Sequence, residues 1–153
     1  MKKLSFSIEI HAPVQKVWDT MLLDPGYREW TKPFNPKGSW YEGTLEKGAE
    51  IRFIGPDEQG NLGGMMSRVK EFDLYHFISF EHYGQIQNGV EDTTSDQVKS
   101  WSGAYEDYTF TEKPEGKTLV ETELAVPDEF TGYMESTWPA ALEKLQKLSE
   151  LSA

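Results

Sequence analysis

Glu106, Tyr108 and Phe110 alternate through the stretch "AYEDYTFT". In extended backbone, residues two apart share a face, and we place this face inward. A carboxylate among aromatic rings can act as a proton acceptor with a raised pKa, because burial disfavours its charged form. A purely structural reading stands beside this one: Glu106 pairs with Arg68, or it lies at a rim. Arg68 in turn shares an alternating face with Met66, Lys70 and Phe72, so its own side of a sheet stays open.

The three histidines suggest less. His11 ends an alternating segment, and His76 and His82 alternate with Ile78 and Phe80. Six residues of strand separate the last two by about 20 Å, too far to share a metal. A histidine alone among apolar neighbours reads as a hydrogen-bonded core residue. Glu121 and Glu123 share a face with Leu119 that reads as solvated exterior. With no cysteine in the chain, disulfides, thiolate metal sites and cysteine nucleophiles are excluded. No H-x-x-x-H cluster, G-x-S-x-G elbow, P-loop or G-x-G-x-x-G turn is present. The expectation is a protein without metal or cofactor.

Large side chains carry the stronger signal. Trp40, Phe53, Met66, Phe80, Tyr108, Met134 and Trp138 come from separated segments, yet each sits on a face read as inward. Aromatic and methionine walls with a few polar anchors suit a small apolar or aromatic ligand. The same residues would equally fill an ordinary core.

The elements that must position them follow from periodicity. Leu4, Phe6, Ile8 and Ile10 alternate with polar residues, which predicts a half-buried strand. After Ala12-Pro13, Val14, Val17, Trp18 and Met21 recur at helical spacing. Asp24-Pro25-Gly26 breaks that helix, and "GYREW" forms a second short one. Strands are expected near residues 39–45, 49–54, 64–72, 75–83, 104–111 and 117–126, parted by glycine, proline and aspartate turns. The polar stretch from Gly84 to Gly103 is expected to be a mobile loop, with Trp101 as its anchor. From Asp128, a natural N-cap, a helix runs to about Leu151. Pro139 falls inside it, where proline removes a backbone hydrogen bond. Either it bends one helix or it starts a separate one. The order of elements predicts an α+β fold, an antiparallel sheet covered by helices.

The 153 residues suit one domain spanning the chain, residues 1–153. The net charge of −11 argues against nucleic acid as a partner and is consistent with solubility. No stretch approaches the ~20 apolar residues of a membrane span. The opening "MKKLSFSIEIHAP" alternates instead of forming an apolar block, so it does not read as a signal peptide. The expected location is the cytoplasm.

"IHAPVQKVWDTMLLDPGYREW", "GSWYEGTLEKGAEIRF" and "TWPAALEKLQKLSE" together resemble the SRPBCC superfamily, the START-like or birch-pollen-allergen-like helix-grip proteins. The closest branch is the one similar to the activator of heat-shock protein 90 ATPase. The resemblance covers nearly the whole chain. It implies a curved sheet of six or seven strands gripping a long C-terminal helix, with a cavity between them. Superfamily members include carriers, polyketide cyclases and chaperone activators, so fold alone does not select a function. Three readings follow: a binder of a small apolar or aromatic ligand, a cyclase- or dehydratase-like enzyme, or a protein-binding module. A buried Glu106 hydrogen-bonded to Tyr108 would favour the enzyme. An open cavity without an ionisable group would favour the carrier, and a filled core beside an exposed apolar patch the partner module.

Overall fold

The structure is a computed structural model and describes residues 1–151. The last two positions of the expected 1–153 domain lie outside the described residues. β1 (Lys2–Ile10) buries Leu4 and Ile10 and half-buries Phe6 and Ile8, as its alternation requires. Pro13 leads into α1 (Val14–Leu22), whose Val14, Val17, Trp18, Met21 and Leu22 form the buried stripe. α2 (Gly26–Trp30) follows at once and buries Tyr27 and Trp30.

The sheet is then laid down by β2 (Trp40–Glu42), β3 (Glu50–Pro56), β4 (Leu62–Asp73), β5 (Phe77–Gln87), β6 (Val90–Asp92), β7 (Tyr105–Lys113) and β8 (Lys117–Val126). Its order is β1-β8-β7-β5-β4-β3-β2, with β6 paired to β5, and every pairing is antiparallel. It is a curved, open sheet of eight strands. α3 (Asp96–Trp101) lies between β6 and β7. The chain closes with α4 (Thr131–Glu150), which packs against β1, α1 and α2. Burying Trp138, Ala141, Leu142 and Leu145 provides its main stabilisation. The expected α+β helix-grip architecture is the observed one.

Three details differ from expectation. Gly84–Gly103 is not a loop. β5 continues to Gln87, turns through Asn88 and Gly89, and returns as β6. α3 then buries Val98 and Trp101, and the Ser95 side chain caps it by accepting from the Val98 N–H at 3.2 Å. Polarity hid this structure because most of the segment's side chains face water.

Asp128 does not cap the last helix. It opens a short 3₁₀ turn (Asp128–Phe130), and α4 begins after Phe130. Pro139 lies within one continuous helix, so the separate-helix alternative falls. Both Pro139 and Glu135, whose carbonyl loses its partner, are exposed. The broken bond therefore faces water rather than the sheet.

The third difference is a change of face within β4. Its register against β5 pairs Val69 with Phe80 and then Glu71 with Ser79, leaving Lys70 as an extra residue. Such a bulge reverses the in–out alternation beyond it. Val69 and Phe72 both reach the main core, although they are three apart. Before the bulge the inward residues are Met65, Ser67 and Val69, so Met66 and Arg68 face outward. Gly64, at the entry to this segment, passes so close to β3 that a Cβ there would lie 1.7 Å from the Phe53 carbonyl oxygen. Only glycine fits.

Candidate functional site

Under α4 the concave face of the sheet leaves a pocket of about 130 Å³. Its walls are the rings of Tyr27, Trp30, Phe34, Phe53, Tyr108 and Trp138. The rings brace one another: Trp138 lies 5.7 Å from Trp30, 5.2 Å from Phe34 and 6.0 Å from Tyr108, centre to centre. Met65 and Met134 fill gaps between them. The pocket shares Tyr27, Phe34, Phe53 and Met65 with a wider groove of about 830 Å³. That groove runs toward the β3–β4 hairpin and is bordered by Leu62 and Tyr133, both exposed.

Of the seven side chains expected to converge, Phe53, Tyr108, Met134 and Trp138 line the pocket. Phe80 is buried directly behind it, 5.1 Å from the Phe53 ring and 5.9 Å from Tyr108. Trp40 and Met66 do not join them. They pack with Ile54 and Ile86 in a separate small cluster on the other side of the sheet. Met66 is displaced by the bulge at Lys70. Trp40 pairs with outward-facing Ile54, while its neighbour Tyr41 pairs with inward-facing Phe53. Trp40 instead carries the Arg28 guanidinium 5.7 Å from its ring.

The pocket has one ionised wall. Glu106 Oε2 accepts a hydrogen bond from the Tyr108 hydroxyl at 2.6 Å, and His82 Nε2 lies 3.4 Å from Oε1. Behind His82, Ser67 Oγ is 2.5 Å from Nδ1. The pairing of Glu106 with Arg68 is ruled out, because Arg68 stands outside beside Glu81 and over the Tyr83 ring. Serine, histidine and carboxylate in a line evoke nucleophilic catalysis, but this line faces the wrong way. Ser67 is sealed from solvent, and the carboxylate meets the pocket with 28 % of its side chain exposed. His82 is the hydrogen-bonded core residue expected of a lone histidine.

Burial alone would raise the Glu106 carboxyl. The hydrogen bond and charge of His82 and the hydroxyl of Tyr108 outweigh it, and the pKa falls below its ordinary value. This corrects the expected raised value. Burial, then the charge and hydrogen bond of Glu106, push Tyr108 well above the ordinary phenol range. Tyr27 is driven up by burial and by the same carboxylate. Among the described residues, no group of three or more His, Asp or Glu side chains is placed to hold a metal. No helix among them is long and apolar enough to cross a membrane.

The seven residues expected to converge left out four pocket walls, Tyr27, Trp30, Phe34 and Met65. The first three lie in a short helix and the turns after it, where no periodicity assigns a face. His82 was legible as inward, but its partners depend on the β4 and β7 registers.

No family model matches the chain, and no curated protein matches it in sequence. Solved structures do match. Protein MLL2253 from Mesorhizobium loti superposes with a TM-score of 0.71 at 16% identity, covering 99% of each chain. The Aha1 dimer from Colwellia psychrerythraea gives 0.71 at 17% identity, over 99% of this chain and 98% of that one. The AHSA1-like protein from Aeromonas hydrophila gives 0.67 at 17% identity, over 96% and 92%. The chain has the helix-grip fold of Aha1-like proteins. At these identities the likeness concerns the backbone, and the pocket must be read from this chain's own side chains.

Proposed function

We propose that this single-domain chain binds a small apolar or aromatic molecule, in the cytoplasm, between the sheet and α4. The observation that carries the proposal is the continuity of the inner pocket with the wider groove. About 830 Å³ lies within the ~300–1,000 Å³ common for small-molecule sites. The inner pocket alone, at about 130 Å³, admits only one end of such a molecule. Phe53, Trp138 and Met134 would contact the ligand. Trp40 and Met66 would not.

The enzyme reading has a specific observation in its favour, because Glu106 is hydrogen-bonded to Tyr108 inside the pocket. Its proton affinities argue against it. General acids and bases work best with pKa values near the operating pH. Here the carboxylate is shifted down and the phenol up, both away from neutrality. Such a pair holds a ligand better than it moves protons.

The test is a melting series against hydrophobic and aromatic compounds. A ligand of the folded state raises the melting temperature by an amount that grows with its concentration. Compounds that shift the melt and are returned unchanged support a binder. A compound that is turned over supports the enzyme, and a panel with no shift removes the binding reading.

A further inference from the structure

We propose that the buried end of the ligand is a cation, an ammonium group seated against Glu106 inside the ring of aromatic walls. This rests on the small-molecule reading above and specifies the chemistry of that ligand.

Glu106 has hydrogen-bond capacity to spare. A carboxylate offers about four acceptor positions, and Tyr108 and His82 engage one on each oxygen. Glu106 lines the pocket, and among the described residues no other protein donor takes the remainder. His82 meets Glu106 through Nε2 and Ser67 through Nδ1, so both ring nitrogens are engaged. Among the described residues no Lys or Arg pairs with Glu106. The pocket therefore presents a carboxylate with acceptor positions to spare, whose one basic neighbour, His82, is shared with Ser67. A buried charge is costly unless paired, and a ligand cation would add a full charge partner on the pocket side.

The walls suit the same occupant. Aromatic rings attract a cation lying within about 6 Å of their centres, more strongly once it is desolvated. A pocket of about 130 Å³ keeps any occupant close to Tyr108, Trp138, Trp30 and Phe53. The long-range field agrees, since a net charge of −11 draws cations and repels anions. The groove beyond, bordered by Leu62, Phe34 and Tyr133, would take an apolar or aromatic tail. An acid would meet Glu106 with like charge. A neutral alcohol could donate to it but would bring no opposite charge.

Three probes of matched shape decide the matter: phenethylamine, phenethyl alcohol and 3-phenylpropionate. Their dissociation constants are measured on the full chain at pH 7 by calorimetry, with chemical-shift mapping to place them. The amine is expected to bind roughly tenfold tighter than the alcohol, with no detectable binding of the acid. Glu106→Gln, close in shape, should abolish the preference for the amine while leaving the alcohol's affinity within about threefold. Equal binding of amine and alcohol, or a preference for the acid, overturns the cation and leaves the apolar-ligand reading standing. Failure of all three probes to reach the pocket overturns both. The comparison on the unsubstituted protein decides even if Glu106→Gln does not fold.

Discussion

Ser67 Oγ lies 2.5 Å from Nδ1 of His82, and the two residues are register partners on β4 and β5. Both are buried, so neither has water as an alternative partner. Removing the hydroxyl would strand a ring nitrogen, which costs about 1–3 kcal/mol. Ser67→Ala is expected to lose stability in that range by urea denaturation. Ser67→Thr keeps the hydroxyl and should recover most of the loss if the extra methyl is accommodated. A loss near zero for Ser67→Ala would mean that the hydrogen bond holds nothing in place.

Glu106 should impose a pH dependence of known sign. Its folded pKa is depressed below the ordinary 4.5, so its contribution to stability is present above that value. The contribution disappears as the pH falls through the folded pKa. Comparing the chain with Glu106→Gln from pH 7 to pH 3 cancels the other carboxylates. The stability advantage of the native glutamate should shrink below about pH 4.5 and not before. An advantage that grows on acidification would show that burial, not His82, governs the carboxyl.

Trp138 is the side chain that most directly joins helix to pocket. It is 2 % exposed, stacks 6.1 Å from Phe6 and touches Trp30, Phe34 and Tyr108. Trp138→Ala should cost about 3–5 kcal/mol, toward the lower end because one side of the indole already borders the pocket. The pocket should enlarge, and the affinity of any ligand seated there should drop. Denaturation and the binding assay together check both statements.

Residues 84–103 should behave as ordered structure. Val98 and Trp101 are buried, and α3 is capped by Ser95. Backbone order parameters of α3 are expected near the ~0.85 of rigid elements. Lower values should appear only around Asn88-Gly89, where both residues adopt positive φ at the hairpin tip. Uniformly low values from 84 to 103 would refute this.

Legibility in the sequence followed the length of uninterrupted pattern. β8 occupies residues 117–126 as its alternation indicated, and the helical stripe of α4 faces the sheet as its spacing required. The pocket depended on shorter signals. One extra residue at Lys70 was enough to exchange Met66 for Met65, because nothing in "SRVKEF" announces a bulge. Glu106 was visible as a carboxylate among aromatics. Its true partner was not, because His82 lies 24 positions earlier with a hairpin and a helix between them. A local pattern cannot report a pairing of that range.

Pro139 interrupts the hydrogen-bond ladder of α4 at the point where the helix changes task. On its C-terminal side Ala141, Leu142 and Leu145 are buried in the core. On its N-terminal side Met134 and Trp138 roof the pocket, while Tyr133 borders the groove and donates to the Phe34 carbonyl at 2.9 Å. Because Pro139 already leaves the carbonyl of Glu135 without its helical partner, lifting the first two turns would forfeit one helical bond fewer than in an unbroken helix. A lift at Pro139 would leave Ala141, Leu142 and Leu145 anchored in the core, and would have to free Trp138 from its ring contacts. A molecule larger than the resting pocket would enter by displacing two turns of helix, not by prying apart the sheet.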